Sequence, residues 1–217
     1  MKVVMFIPIK LNNERLPNKN ILPLNGVPLC KYLFNTVKDI ELINEKYVYC
    51  SKKEIKKYMP KELNLKIRSE KLDSFQIKGL EIIKNFVNDV DADIYILAHV
   101  TQPFIKKESI EESLKKVIYE NYDSAFSAKE LKSYCWYNSK PINYDPQDIV
   151  RTQDLNPIYM ETGSFYIFKK DVFKETGARI GKKPFIKMVS DIEAIDIDTK
   201  ADYDFACSRY HMYVYMP

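Results

Sequence analysis

Residues 2 to 9, with VVMFI at their centre, form a nearly continuous apolar run. A strand with one wet face alternates apolar and polar residues, so an unbroken short run belongs to a strand covered on both faces, as in a parallel sheet. Pro8 lies inside the run, which is far shorter than the roughly 20 residues that cross a bilayer. It therefore reads as a first strand, not as a signal peptide or membrane span. The polar loop LNNERLPNKN follows. Leu24-Asn25-Gly26-Val27-Pro28 then supplies a turn and a proline suited to an early helical position, and Leu29, Leu33 and Val37 recur at helix spacing.

This β-loop-α unit repeats. Strands are expected at Tyr47 to Cys50, Leu65 to Ile67, Asp93 to Ala98 and Ser124 to Ala128. Helices are expected at Lys52 to Tyr58, Phe75 to Phe86 and Lys107 to Ile118, the second with Ile77, Leu80, Ile83 and Val87 on its apolar side. The alternation predicts an α/β fold with a mostly parallel central sheet. Glu130 to Met160 breaks the rhythm, being rich in Tyr, Asn and Pro and containing Trp136, Tyr137, Tyr144 and Tyr159. So long a connection is usually interfacial or functional, which makes residues 130–160 an oligomer contact or a substrate wall. Strand patterning returns at Ser164 to Phe168 and Glu193 to Ile197, and a last helix starts near Lys200, packing Tyr203 and Phe205 to Cys207 against the sheet.

A length of 217 residues, 46% of them hydrophobic, suits one domain with its own core, spanning 1–217. Lys plus Arg number 34 against 30 acidic residues, and this surplus alternates with acids instead of forming a stripe, which argues against a nucleic-acid binder. Four cysteines lie scattered without a CxxC pair, so no zinc or redox motif is expected, and a reduced, cytoplasmic setting is the plain reading. Only five glycines occur, none in the first loop. Glycine-rich phosphate cradles of the GxGxxG or GxxxxGK[ST] kind are therefore absent.

Two patterns carry candidate chemistry. Lys10, Arg15 and Lys19, interleaved with Asn12, Asn13 and Asn20, follow the first strand, at the end of an open sheet where ligands usually bind. Three cations there suit a nucleotide's phosphates; a solvated charged turn, with Glu14 offsetting part of the field, is the plainer alternative. In AIDIDT, residues two apart on a strand share a face, so Asp196 and Asp198 stand side by side with Ile195 and Ile197 turned toward packing. Such carboxylates suit Mg²⁺, which keeps waters and bridges to substrate phosphates; otherwise they are solvent-facing or cap the last helix. Arg68 follows the strand LKI and is a candidate for a base carbonyl or phosphate, with Asp73 or Ser74 capping the next helix. His99 leaves the strongest central strand and is a candidate acceptor contact, and Arg151 and Glu161 flank the return from the irregular segment.

The order of these signals resembles the CMP-acylneuraminate synthetase family, nucleotidyltransferases that activate acidic sugars with CTP. IPIKLNNERLPNKNILPLNGVPL is similar to that family's first signature, and RSEKLD, HVTQPF, METGSFYIF and EAIDIDTKAD follow in the family order over nearly the whole chain. The resemblance implies a three-layer Rossmann-like nucleotidyltransferase fold and transfer of CMP from CTP to an acidic sugar such as a nonulosonic acid, with Mg²⁺. By position it implies that Lys10, Asn12, Arg15, Lys19, Asn20 and Arg68 meet the nucleotide, and that Asp196 and Asp198 hold the metal. Lys10, Arg15, Lys19 and the two aspartates would carry the catalysis. His99, Gln102, Arg151 and Glu161 would lie on the acceptor side, and residues 130–160 would serve a homodimer. Asn12-Asn13-Glu14 stands in place of Gly-Ser-Lys, His99 in place of glutamine, and METG in place of Pro-Asn-Gly. These departures touch the acceptor more than the nucleotide. They leave a small phosphate- or phosphonate-bearing acceptor, or a noncatalytic nucleotide-binding or assembly role, as alternatives.

Overall fold

The computed structural model describes residues 1–215, with side chains through His211. Its seven-stranded sheet is built from β1 (Val3–Ile9), β4 (Glu45–Cys50), β5 (Asn64–Ile67), β6 (Ile94–Ala98), β7 (Ser124–Leu131), β10 (Ile158–Lys169) and β11 (Pro184–Met188). Two small hairpins lie outside it, β2 (Pro23–Leu24) with β3 (Val27–Pro28) and β8 (Trp136–Tyr137) with β9 (Lys140–Pro141). The helices are α1 (Leu29–Val37), α2 (Gly79–Asp89), α3 (Lys107–Tyr119), α4 (Lys170–Thr176) and α5 (Lys200–Tyr215). The sheet order is β11-β7-β10-β6-β1-β4-β5. Every neighbouring pair is parallel except those that β10 makes with β6 and with β7.

The apolar run of β1 is explained by this position, since its side chains supply both faces. Val3, Met5, Ile7 and Ile9 pack with Leu33, Phe34 and Val37 of α1 and Ile110, Leu114 and Val117 of α3. Val4 and Phe6 face the other way, against Ile83 and Phe86 of α2 and Phe173 of α4. Helices thus cover both faces and make three layers. Phe6 and Phe86 stack with ring centroids 4.3 Å apart. Truncating a buried phenylalanine such as Phe86 to alanine costs about 3–5 kcal/mol.

A third cluster, smaller than the other two, positions the site. Leu16 from the loop after β1, Leu24, Leu29 and Tyr32 pack with Phe104, Ile195, Ile197 and Ala206. The polar loop is thereby clamped between the β2–β3 hairpin and the segment that carries Asp196 and Asp198.

Several sequence expectations are corrected. Glu193 to Ile197 is not a strand: residues 191–194 form a turn and 195–198 run on without a sheet partner, with one backbone bond from Ile197 N–H to Thr101 O. The sheet edge is taken by β11 instead, whose Pro184 and Lys187 obscure its pattern but are tolerated there, proline at the start of a strand and lysine on an edge. Helix α2 starts at Gly79 rather than Phe75, because Ser74 closes a turn with Gln76 and Ile77, leaving Phe75 and Leu80 exposed. Lys53–Tyr58 is a 3-10 helix. Helix α5 packs on the β2–β3 hairpin and α1, not on the sheet, with Ala206 buried and Phe205 half exposed. No helix among the described residues is long and apolar enough to cross a membrane.

Candidate active site

The site lies beyond the carboxyl ends of β1 and β6, where parallel neighbours diverge and their loops leave the sheet. A cleft of about 330 Å³ there is lined by Lys10, Asn13, Lys19, Asn20, Arg68 and His99, among others. It adjoins a second hollow of about 250 Å³ that shares Lys10, Asn13 and Lys19 and adds Arg15 and Asp198. The fold therefore gathers the predicted nucleotide-side cations from two separate segments, the loop after β1 and the end of β5.

The cations are held in different ways. Lys19, in a 3-10 turn packed beneath Leu16, is buried and its Nζ lies 2.7 Å from Asp198 Oδ1. The exposed Arg15 reaches the other oxygen of the same carboxylate at 2.8 Å. Asn20 braces the loop by donating to Lys10 O at 2.7 Å. Its own Oδ1 and that of Asn13 are buried without a partner, which leaves acceptors free at the cleft wall. Asn12 is exposed and lines neither hollow; Asn13 takes the position expected of it.

Arg68 is the most constrained charge. Its guanidinium donates to Asp73 Oδ1 at 2.8 Å and to Ile9 O at 3.2 Å, and sits over the Tyr49 ring at 5.4 Å. Both partners of the ion pair are buried, and Ser51 donates to the second oxygen of Asp73. Arg68 Nε and one terminal nitrogen remain buried without an acceptor. A buried cation with unspent donors at a cleft wall is suited to a ligand's carbonyl or phosphate oxygen. Neither Asp73 nor Ser74 caps the next helix, which starts at Gly79; Asp73 is the counter-charge of Arg68, and the sequence signal is only its five-residue separation from that arginine.

The carboxylates keep the predicted alternation without the predicted strand. Ile195 and Ile197 are buried, and Asp196 and Asp198 turn outward. Asp198 lines the hollow with Arg15, while Asp196 opens on a separate space of about 540 Å³ with Lys129, Asp202 and Arg209. Partial desolvation raises the carboxyl of Asp196 above its ordinary value, and the charge of Asp198 adds to this, against a Thr101 hydrogen bond and Lys19. The two carboxylates thus line different hollows, with Asp198 alone beside the cations of the loop after β1. Among the described residues, no group of three or more His, Cys, Asp or Glu side chains is placed to enclose a metal.

On the opposite side, β10 breaks register between Glu161 and Tyr166. Two side chains from the loop after β6 fasten the break. His99 Nδ1–H donates to Gly163 O at 2.6 Å, and Gln102 donates to Thr162 O at 2.8 Å. Gly163, at φ +81, takes a backbone shape that L side chains rarely adopt. Burial pushes His99 below its usual range, so at neutral pH the ring is uncharged and Nε2 is its acceptor nitrogen. Glu161 accepts from Tyr166 OH at 2.8 Å. Arg151 is not brought to the cleft: it stands exposed in the 130–160 segment, paired with Asp154 at 2.7 Å.

Comparison with known proteins bears on the family and the fold. The profile of the family described as Cytidylyltransferase matches residues 4–212. An N-acylneuraminate cytidylyltransferase A of Danio rerio is 26% identical over 207 residues, covering 91% of this chain and 48% of that protein. A pseudaminic acid cytidylyltransferase of Campylobacter jejuni is 23% identical over 225 residues, covering 95% of both. The chain thus spans about half the length of the first relative and nearly all of the second. In fold, it superposes on CMP:2-keto-3-deoxy-manno-octonic acid synthetase complexed with CTP with a TM-score of 0.71 at 16% identity, covering 98% of this chain and 99% of that one. A 4-diphosphocytidyl-2C-methyl-D-erythritol synthase from Anaerococcus prevotii gives 0.69 at 12% identity, covering 97% and 96%. With its β1 loop, AIDIDT segment and mostly parallel three-layer sheet all inside the matched span, the chain belongs to the cytidylyltransferase family.

Proposed function

We propose that this protein transfers CMP from CTP to an acidic sugar of the nonulosonic type and releases pyrophosphate. The observation that carries the reading is the meeting of Arg15 and Lys19 on Asp198, at 2.8 and 2.7 Å, in a cleft that also holds Lys10 and Arg68. A triphosphate entering there replaces one carboxylate as partner to both cations. Lys10, Arg15 and Lys19 then offset charge on the phosphates, and Arg68 offers its spare donors to the base or a phosphate oxygen.

In the transfer, an acceptor hydroxyl attacks the α-phosphorus, the α–β bridging bond breaks, and pyrophosphate leaves on the opposite side. Such chemistry depends on positioning and charge neutralisation more than on a covalent residue. Asp198, once released from Arg15 and Lys19, would hold Mg²⁺ together with Asp196. When bound, that ion would supply Lewis-acid stabilisation of charge at the α-phosphate. On the acceptor side, His99 and Gln102 keep the β10 break in shape, and Glu161 lines up behind it.

The exposed apolar side chains of residues 130–160, Trp136, Tyr137, Ile142, Ile149 and Val150, suit a homodimer arm that brings Arg151 to its partner's acceptor side. Comparative pyrophosphate release from CTP, UTP, ATP and GTP with nonulosonic acids tests the reading. The expected outcome is turnover with CTP that needs both Mg²⁺ and the acid; equal turnover with all four nucleotides contradicts it.

A further inference from the structure

The loop between α4 and β11 uses two of the chain's five glycines, Gly177 and Gly181, in GARIGKK. Gly177 ends α4 in the left-handed region at φ +68, its N–H bonded to Phe173 O at 2.8 Å. Gly181 leaves no room for a side chain, since a Cβ there would stand 2.4 Å from the Asp123 carboxyl. Asp123 accepts the backbone N–H groups of Lys182 and Lys183 at 2.8 and 2.9 Å, and Ser124 accepts that of Gly181 at 2.9 Å. The loop is therefore fastened at both ends, and the residue it presents is Arg179.

The guanidinium of Arg179 lies over the Tyr166 ring, 3.5 Å from its centroid. Its nearest carboxylate oxygen, on Glu161, is 3.9 Å away and already accepts from Tyr166 OH. Among the described residues Arg179 donates no hydrogen bond, and about a third of its side chain is open to solvent. Tyr166 meets His99 edge-on at 6.4 Å, and the charge of Arg179 is one of the influences that keep His99 neutral. A flat cation, stacked on an aromatic platform beside the β10 break with its donors unspent, is arranged for bidentate capture of an oxyanion.

We propose that Arg179 binds the anionic group of the acceptor, a planar carboxylate in a sugar acid or the oxygens of a phosphate or phosphonate. This rests on the transfer reading above. It goes further by assigning acceptor recognition to a loop and a residue that no sequence motif marked.

The test uses the full chain as Arg179→Ala, Arg179→Lys and wild type, with KM measured separately for CTP and for each acceptor: a nonulosonic acid, its methyl ester and a sugar phosphate. The expected result is an acceptor KM raised about 10- to 100-fold in Arg179→Ala, with partial rescue by lysine and an unchanged KM for CTP. Loss for the acid but not for the sugar phosphate identifies a carboxylate; the reverse identifies a phosphate. The ester should respond little. An unchanged acceptor KM, or CTP and acceptor KM rising together, overturns the assignment. If the wild type turns over no acceptor, calorimetric titration of the same acids into protein saturated with α,β-methylene-CTP separates the two claims. Binding that weakens in Arg179→Ala upholds anion recognition while the transfer reading fails, and no binding to wild type overturns both.

Discussion

Replacing Asp73 with alanine strands the Arg68 guanidinium in the protein interior. The pair is 2.8 Å long, with side chains only 2% and 8% exposed. What remains for the cation is Ile9 O at 3.2 Å and the face of Tyr49 at 5.4 Å, neither of which carries a full negative charge. Lys10, whose Nζ lies 3.5 Å from Asp73 O, adds to the local positive field. Breaking one partner out of a buried ion pair costs about 3–5 kcal/mol, or two to three and a half orders of magnitude in the folding equilibrium. Urea titration followed by circular dichroism reads that loss directly. The double variant Arg68→Met with Asp73→Ala should recover a large part of it, because no uncompensated charge is then buried. If Arg68 also meets the nucleotide, the double variant regains stability without regaining CTP affinity. A cost below about 1 kcal/mol for Asp73→Ala, the size expected of an exposed pair, would refute the reasoning.

Asp198→Asn should lower turnover by about 100-fold or more while moving the urea midpoint less than Asp73→Ala does, since Asp198 is about one-third exposed and the amide oxygen can still accept from the buried Lys19; turnover per folded molecule equal to wild type contradicts this. Burial holds His99 below its ordinary value of about 6.5. Below that pH the unfolded chain binds a proton that native His99 refuses, so stability should fall between about pH 7 and 5, and His99→Gln should flatten that slope; identical slopes would remove His99 as the source. Trp136→Glu should convert a dimer to monomer in sedimentation equilibrium without unfolding it, and a wild-type monomer at all concentrations would dismiss the arm.

The sheet was readable where burial is symmetric. β1 and β6 carry unbroken apolar runs because helices cover both of their faces, and periodicity sufficed to find them. β11 was not readable, since an edge strand of the form PFIKM needs no apolar continuity. The error at Glu193 to Ile197 has a related cause: its alternation is real, with Ile195 and Ile197 buried, but a loop packed against hydrophobic side chains alternates as a strand does without pairing. The outward turn of Asp196 and Asp198 was readable from alternation alone, whereas Lys10, Arg15, Lys19 and Arg68 could be located because they follow β1 and β5 in sequence. The partnership of Arg68 with Asp73 and the stacking of Arg179 on Tyr166 could not, because each depends on how separate loops cross in space. Arg151 precedes Glu161 in the order of the chain, but that order does not bring it to the cleft, and it pairs with Asp154 instead.

Product identity in a single reaction of CTP, Mg²⁺ and a nonulosonic acid tests the central claim most directly. Mass spectrometry should find one product with the mass of the acid plus CMP less water, with pyrophosphate formed in equal amount and both absent without the acid. A phosphorylated acid appearing with CDP would place the attack on the wrong phosphorus, and bound CTP returned intact across the full acceptor panel would contradict the transfer itself.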